Sequence, residues 1–181
     1  MAPNAPHGKE ESDNNDETGY CWWKLPVGVR SFNAETYPGW DESVATVVSA
    51  LEEKGPPIDL IVAHSQGAIL ASALIATGDT LPYHPRLGYI LNGGAWPNPY
   101  TDALDKLDFD TGDTSSLLPR FLVIPGEKDT INPPSTQKAV QEALANAGGT
   151  VVCLTHSGGH GLPTRNGDAV DQIVDWIAAG L

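Results

Sequence analysis

The stretch IVAHSQGAIL, residues 61–70, joins a short apolar run to a segment rich in small residues. Ser65 stands between the two, with Ala63 two positions before it and Gly67 two positions after it. A nucleophilic serine held on a sharp strand-to-helix turn needs small residues at these positions, because larger side chains would collide with the neighbouring strand and helix. The stretch therefore predicts either such a nucleophile elbow or a helix that begins with Ser65 as its cap.

Short apolar runs alternate with helical patterns on both sides of this stretch. Strands buried on both faces are predicted at residues 58–63, 87–92, 120–125 and 150–155. A helix with Asp41 as its N-cap is predicted before the first strand, and further helices are predicted at residues 66–77, 134–147 and 168–179. This alternation predicts an α/β fold with a mostly parallel sheet and helices on both of its faces.

Length and composition indicate one domain. The chain has 181 residues, of which 40% are hydrophobic, and this is enough for a real core. Residues 1–19 are rich in Pro, Asn and acidic residues, so we predict a flexible acidic segment there and the α/β domain over residues 20–181. Residues 96–118 are rich in turn-forming and polar residues and are predicted as a surface excursion.

Charge and cysteine content limit the classes of binding partner and the cellular compartment that we expect for this protein. The formal net charge of −13 at pH 7 repels phosphate backbones and anionic lipid surfaces, so nucleic acid and membranes are not expected as partners. No apolar run has the length needed to cross a bilayer. Cys21 and Cys153 lie far apart, which argues against a disulfide framework and indicates a reducing, cytoplasmic compartment.

Three residues that could carry chemistry follow predicted strands. Ligands of parallel α/β sheets bind beyond the carboxyl ends of the strands. Ser65, Asp129 and His160 each stand there, in the chain order nucleophile, acid and base of the α/β-hydrolase triad. Ser65 is therefore predicted as the nucleophile, His160 as the general base and Asp129 as the acid that orients the imidazole. The backbone N–H of Gln66 is predicted to donate to the oxyanion.

Other polar residues near the strand ends are alternatives to the predicted triad or candidates for other kinds of site. His156 is the alternative base and Glu127 the alternative acid. His156 and His160 are not expected to bind zinc, because the intervening SGG is a poor helix and no further ligands stand nearby. The stretch NGGAW after the second strand lacks the spacing of a P-loop. His64 and Trp96 are predicted to line a substrate pocket.

These residues resemble the eukaryotic serine hydrolase family called FSH, a branch of the α/β hydrolases. The resemblance rests on PPIDLIVAHSQGAIL (56–70), FLVIPGEKDTINP (121–133) and HSGGHGLP (156–163), supported by WW at 22–23 and YPGWDES at 37–43. His64 stands in place of the family's aromatic residue before the serine, and Ala63 in place of a glycine. The resemblance implies a carboxylesterase or thioesterase that needs no cofactor and acts on acyl esters or thioesters.

The same resemblance implies that the family's opening strand, with its oxyanion turn and the following helix, has no counterpart here. Ala5, Pro6 and His7 match the end of the family's next strand. Loss of one oxyanion donor is expected to lower turnover by about 100-fold to 1,000-fold. The strand at residues 58–63 is then expected at a sheet edge, which favours self-association. Three interpretations stay open: a serine esterase or thioesterase, a catalytically impaired relative that binds an acyl ligand or a partner, and a plain α/β scaffold in which Ser65, Asp129 and His160 coincide by chance.

Overall fold

Six strands and five α-helices form the described part of the chain, which comprises residues 3–8, 20–55, 58–78, 84–109, 118–163 and 167–181 of a computed structural model. The strands are β1 (His7–Gly8), β2 (Tyr20–Cys21), β3 (Leu60–His64), β4 (Gly88–Asn92), β5 (Arg120–Ile124) and β6 (Thr150–Cys153). The helices are α1 (Trp40–Lys54), α2 (Gln66–Thr77), α3 (Thr101–Asp105), α4 (Pro134–Asn146) and α5 (Asp168–Ala178). None of these described helices combines the length and apolarity that a bilayer span requires.

One parallel sheet contains β3, β4, β5 and β6, in the order in which they occur along the chain. Its register aligns one row of side chains from Val62 through Ile90 and Leu122 to Val152. Parallel neighbours need a crossover connection, and α2 supplies one between β3 and β4, while α4 supplies another between β5 and β6. The carboxyl ends of the four strands therefore lie at the same edge of the sheet.

Helices cover both faces of this sheet. On one face, α2 and α4 pack against the strands in a cluster whose buried members are Ala68, Ile75, Tyr89, Leu91, Phe109, Phe121, Val140, Leu144 and Ala147. On the other face, α5 contributes Trp176 to a cluster with Ile90, Leu122, Ile124 and Leu154. The predicted α/β fold, with a parallel sheet between helices, is confirmed.

A third cluster lies on the side of α2 that faces away from the sheet. Its buried members are Trp23, Ala34, Tyr37, Ile69, Leu70, Leu74 and Ala95. The Trp23 ring is 1% exposed and stacks on Tyr37 with 4.1 Å between centroids. Val44 and Val47 of α1 pack against this cluster, which therefore holds α1 in place.

The N-terminal part differs in detail from its prediction. Residues 1–2 and 9–19 of the predicted flexible segment lie outside the described residues. Within the described part, β1 pairs antiparallel with β2, and His7 Nε2 lies 3.1 Å from the carbonyl oxygen of Gly39. Asp41 is not the cap of α1: the N-cap is Gly39, and Asp41 lies in the first turn, where its charge favours the helix dipole.

The central strands are buried and the end strands are not. All five residues of β4 are buried, whereas Val62 of β3 is 56% exposed and Val152 of β6 is 43% exposed. The prediction of burial on both faces is therefore wrong for β3 and β6. The reason is their position, because within the described residues each has a neighbouring strand on one side only.

The predicted surface excursion at residues 96–118 is partly packed. It contains α3, whose Leu104 is 2% exposed, and Phe109, which is 9% exposed. Helix α3 contacts both α2 and α4, so these apolar side chains enter the core that the two helices form. Residues 110–117 of the excursion lie outside the described residues.

Candidate active site

Ser65 occupies a sharp turn between β3 and α2. Its backbone has φ 54° and ψ −124°, and among the described residues it is the one non-glycine residue with a positive φ. The Ser65 N–H donates to the carbonyl oxygen of Asn92 at 3.0 Å. The Ser65 carbonyl oxygen accepts from the N–H groups of Ala68 and Ile69. The neighbouring strand and the first turn of α2 thus hold the strained backbone that a nucleophile elbow requires.

Gln66 ties the start of α2 to the Trp22–Trp23 pair. The Trp22 N–H donates to Gln66 Oε1 at 2.9 Å, and Gln66 Nε2 donates to the carbonyl oxygen of Trp23 at 3.2 Å. The Trp22 indole lies against Gly67, where a Cβ atom would come within 3.3 Å of its Nε1. The backbone N–H of Gln66 lies in the first turn of α2, where an N–H has no partner within the helix. It is therefore available as a donor beside Ser65.

Asp129 lies in the loop between β5 and α4, and its side chain has no exposed area. Its Oδ1 accepts from the backbone N–H groups of Ile131 and Asn132, each at 2.9 Å. Its Oδ2 lies 2.8 Å from His160 Nδ1. Three donors therefore surround a carboxylate that is shielded from water, as a buried charge requires.

His160 connects the buried carboxylate to the serine. His160 Nε2 lies 2.7 Å from Ser65 Oγ. Because a carboxylate can only accept, Nδ1 of the neutral ring carries the proton and donates to Asp129, and Nε2 accepts from the serine hydroxyl. The structure thus brings Ser65, His160 and Asp129 into one hydrogen-bonded chain. Such a chain can remove the proton of a serine hydroxyl as its oxygen attacks an acyl carbon.

Backbone contacts join the acid loop (residues 125–133) to the base loop (residues 154–163). The N–H of Lys128 donates to the carbonyl oxygen of Gly158 at 2.9 Å. Gly126 approaches the base loop so closely that a Cβ atom there would lie 2.0 Å from a backbone carbonyl oxygen. The two loops therefore form one framework, which positions the carboxylate and the imidazole together.

His64 lies beside His160, with 5.0 Å between the ring centroids. Asn92 Nδ2 donates to His64 Nδ1 at 2.7 Å. Burial, and after it the nearby His160 ring, lower the pKa of His64 below its usual value. His64 is therefore neutral near pH 7, with its Nδ1 occupied as an acceptor.

The alternative base and acid make other contacts. His156 Nδ1 accepts from the backbone N–H of Gly158 at 3.2 Å. Glu127 is exposed, whereas Asp129 is buried against His160. In the ranges that the structure describes, no group of three or more His, Cys, Asp and Glu side chains could hold a metal ion. The geometry therefore favours His160 and Asp129 as the partners of Ser65.

Trp96, the second residue predicted to line a pocket, packs beside the sheet. Its indole N–H donates to Thr101 Oγ1 at 2.8 Å, and its ring lies against the α2–α4 side of the core. These contacts fix the ring but do not connect it to Ser65. The pocket role of Trp96 stays a prediction.

Two buried asparagines belong to the site, although no sequence motif predicts them. Asn92 ends β4, where its carbonyl accepts from Ser65 and its side chain donates to His64. Asn132 lies in the acid loop, and its Nδ2 donates to the carbonyl oxygen of Gly93 at 2.7 Å. The one signal in the sequence is their place relative to the strands: Asn92 is the last residue of β4, and Asn132 lies in the loop that follows β5.

Known proteins resemble this chain at the level of both sequence and fold. A family model described as Serine hydrolase (FSH1) matches residues 2–172. The chain belongs to this serine hydrolase family. The resemblance that the sequence motifs indicated is therefore confirmed, and the α/β fold described above is the fold of a family member.

Two curated relatives of this family member are longer proteins. Esterase OVCA2 from Homo sapiens is 33% identical over 78% of this chain. A protein named dihydrofolate reductase from Schizosaccharomyces pombe is 31% identical over 86% of this chain. The chain spans 60% of the length of the human protein and 35% of the length of the yeast protein.

Solved structures of esterases share the fold. Esterase PE8 superposes with a TM-score of 0.66 at 21% identity, covering 90% of this chain and 71% of its own. The L63A variant of Arabidopsis thaliana SOBER1 superposes with a TM-score of 0.62 at 18% identity, covering 91% of this chain and 75% of its own. At these identities the likeness concerns the fold.

Proposed function

We propose that this serine hydrolase cleaves carboxylic ester or thioester bonds of acyl substrates, with Ser65 as nucleophile, His160 as general base and Asp129 as orienting acid. The observation that carries the proposal is the chain of contacts at 2.7 Å and 2.8 Å from Ser65 Oγ through the His160 ring to Asp129. An imidazole at this distance activates a hydroxyl that is otherwise a weak nucleophile. Family membership and the esterase name of the human relative support the same chemistry. The mechanism uses no cofactor.

Acylation begins when Ser65 Oγ forms a bond to the acyl carbon. His160 Nε2 takes the hydroxyl proton, and the carbonyl electron pair moves onto its oxygen to give a tetrahedral oxyanion. When the carbonyl re-forms, the bond between the acyl carbon and the ester oxygen or thioester sulfur breaks. His160 then returns the proton to the alcohol or thiol that leaves. A water molecule then attacks the acyl-Ser65 ester in the same way, which releases the acid and restores the serine.

The Gln66 backbone N–H is the proposed oxyanion donor. It follows Ser65 directly, and the Gln66 side chain, which accepts from the Trp22 N–H and donates to the Trp23 carbonyl oxygen, fixes its orientation. One such donor contributes about 2.7–4 kcal/mol to transition-state stabilisation. Asp129 stabilises the imidazolium that forms on His160, since its carboxylate stays beside Nδ1 throughout.

His64 and Trp96 are the proposed substrate-binding residues. His64 presents a neutral ring beside the reacting groups, and Trp96 offers an aromatic surface that suits an acyl chain better than a sugar. Esters and thioesters react through the same acyl carbon, so the residues described here do not separate them. Turnover of p-nitrophenyl esters and of acyl thioesters of graded chain length measures both the preference and the accepted length.

A second candidate function is that of a catalytically impaired relative that binds an acyl ligand or a partner. The observation behind it is a groove of about 310 Å³ whose described lining includes His64 and Gly67, close to Ser65. In that case the Ser65 environment is retained for binding while turnover is low.

Labelling with a fluorophosphonate probe tests the proposed reaction, because the probe modifies an activated serine. We expect the unmodified protein to be labelled and Ser65→Ala to be unlabelled. Ser72→Ala is the matched control: Ser72 lies on α2, is 2% exposed, and bonds to the carbonyl oxygen of Ala68 away from the site. Folded protein that stays unlabelled would exclude the esterase proposal and favour the binding function.

A further inference from the structure

Asn132 lies in the acid loop and is only 4% exposed. Three of its polar groups form hydrogen bonds. Its backbone N–H donates to Asp129 Oδ1 at 2.9 Å. Its side-chain Nδ2 donates to the carbonyl oxygen of Gly93 at 2.7 Å. Its carbonyl oxygen accepts from Gln137 Nε2 at 3.4 Å. One residue thus contacts both the catalytic carboxylate and the turn that follows β4.

His160 packs against the turn at Gly93, which directly follows β4. A Cβ atom at Gly93 would lie 2.9 Å from the carbonyl oxygen of His160 and 3.2 Å from its Nδ1. The φ of Gly93 is +57°, a conformation that L-residues with side chains adopt at a cost. The Gly93 N–H donates to the carbonyl oxygen of Ile124 at 3.1 Å, which anchors the turn to β5. Any shift of Gly93 therefore moves the support of the imidazole.

We propose that Asn132 is a positioning residue that sets the Asp129–His160 pair, because it fixes the acid through its backbone and the base through Gly93. This inference rests on the proposed function, in which that pair activates Ser65. The side chain must be short and must carry a donor. Leucine has the size but no donor, so it would leave the buried Gly93 carbonyl unpaired. Aspartate would place a carboxylate against that carbonyl oxygen and close to Asp129.

The contact at issue has its own spectroscopic signature. A proton held between an imidazole Nδ1 and a carboxylate oxygen at 2.8 Å resonates far downfield in a ¹H NMR spectrum, apart from ordinary amide protons. The resonance reports the pair directly, whether or not the protein turns over an ester. Failure of the positioning role and failure of the proposed function can therefore be told apart.

The experiment compares Asn132→Leu with the control Ser72→Ala by NMR, by thermal unfolding and by ester hydrolysis. We expect Asn132→Leu to lose or shift the downfield resonance and to lower kcat by about 10-fold to 100-fold, the size that small misplacements of catalytic groups produce. We expect KM to stay within about twofold, since the pair acts in the transition state. Ser72→Ala should keep both the resonance and the kcat.

Three results would overturn the inference. The first is a folded Asn132→Leu protein with an unchanged resonance and unchanged kcat. The second is an equal loss in Ser72→Ala, which would show that any buried polar substitution on this side of the sheet acts alike. The third is that both Asn132→Leu and Asn132→Asp fail to fold, which would make Asn132 a stability residue. An inactive parent protein that shows the resonance would exclude the proposed function alone.

Discussion

In the proposed mechanism His160 acts as the base because of what each of its ring nitrogens contacts. Nδ1 is committed to Asp129 and Nε2 to Ser65, so the ring has one tautomer and one orientation. His156, four residues earlier in the same loop, has an imidazole whose Nδ1 accepts from the backbone of Gly158 instead. Two histidines with the same chemistry therefore receive different roles from their neighbours.

Substitution of each histidine by alanine tests this difference. We expect His160→Ala to abolish probe labelling and to lower kcat/KM by about 10⁴-fold to 10⁶-fold, as loss of a triad member does elsewhere. We expect His156→Ala to retain most of the activity, because its ring does not contact Ser65. The measurement is steady-state ester hydrolysis with circular dichroism as the check on folding. Equal losses in two folded variants would contradict the assignment.

His64 contributes to the pH dependence of stability. Its pKa in the folded protein is lower than the ordinary value of 6.5, so the unfolded chain binds this proton more tightly. The neutral His64 ring therefore contributes its full stabilisation above the ordinary pKa. That contribution is lost as the pH falls through the lowered pKa of the folded protein. We expect the free energy of unfolding to decrease between about pH 7 and about pH 5 more steeply in the unmodified protein than in His64→Phe.

Urea unfolding at a series of pH values measures this slope. The slope does not vanish in His64→Phe, because burial also lowers the pKa of His84. Replacing both histidines should flatten the curve further than replacing either one. Parallel curves for the unmodified protein and His64→Phe would contradict the electrostatic account.

At the scale of elements, the acid loop and the base loop act as one piece. The glycine at position 126 has no room for a side chain, since a Cβ atom would lie 2.0 Å from the backbone of the base loop. Gly161, in the same base loop, has nothing within 4 Å of its Cβ position. Substitution of Gly161 therefore serves as a control for substitution of Gly126: both replace a glycine, but only Gly126 lies at a close contact between the loops.

We expect Gly126→Ala to push the loops apart and to lower the free energy of unfolding by about 1–3 kcal/mol, the usual effect of overpacking. We also expect ester hydrolysis to fall in protein that is still folded, because His160 moves away from Asp129. Gly161→Ala should change neither by much. Chemical unfolding and ester hydrolysis of both variants measure the difference, and equal behaviour would show that the loops tolerate separation.

How far the sequence predicts the elements depends on how local their causes are. Helix α2 is predicted at the residues where it occurs, Gln66–Thr77, because a constrained serine precedes it and a glycine ends it. Burial of β3 and β6 on both faces is predicted wrongly, because the apolar pattern does not show which strands end the sheet; the resemblance alone leads to the expectation that β3 lies at an edge. Ser65, Asp129 and His160 stand in recognisable motifs. Asn92 and Asn132 do not, because their roles arise only from contacts across the sheet.

At the scale of the whole molecule, β3 presents an open edge. Asp59 and Ser65, which flank it, bond towards β4, so the alternation of a strand turns the N–H and C=O groups of Leu60, Val62 and His64 the other way. No described strand lies on that side. A groove of about 310 Å³ runs along this edge between β3 and α1, and none of the described residues that line it is acidic. Such an edge is a template for pairing with a second chain.

We expect the protein to self-associate through this edge and Val62→Lys to weaken the association. Val152→Lys is the matched control at the other end of the sheet, where Val152 is 43% exposed against 56% for Val62. Because the net charge of −13 repels a second copy, association should strengthen as salt is raised from about 0.1 M to about 0.5 M. Sedimentation velocity over a range of concentrations measures this. A monomer throughout, or an equal effect of both substitutions, would contradict the edge prediction.

The order of the strands also bears on how the protein becomes reactive during its synthesis. Because the sheet order follows the chain order, the ribosome delivers Ser65 directly after β3 and His160 only after β4, β5 and β6 have been made. In the proposed mechanism, the Ser65 hydroxyl therefore lacks its base, His160, until the last strand has been made. Under the proposed mechanism, we therefore expect the nascent chain to gain hydrolytic activity only after β6 and the base loop have been made and have joined the sheet.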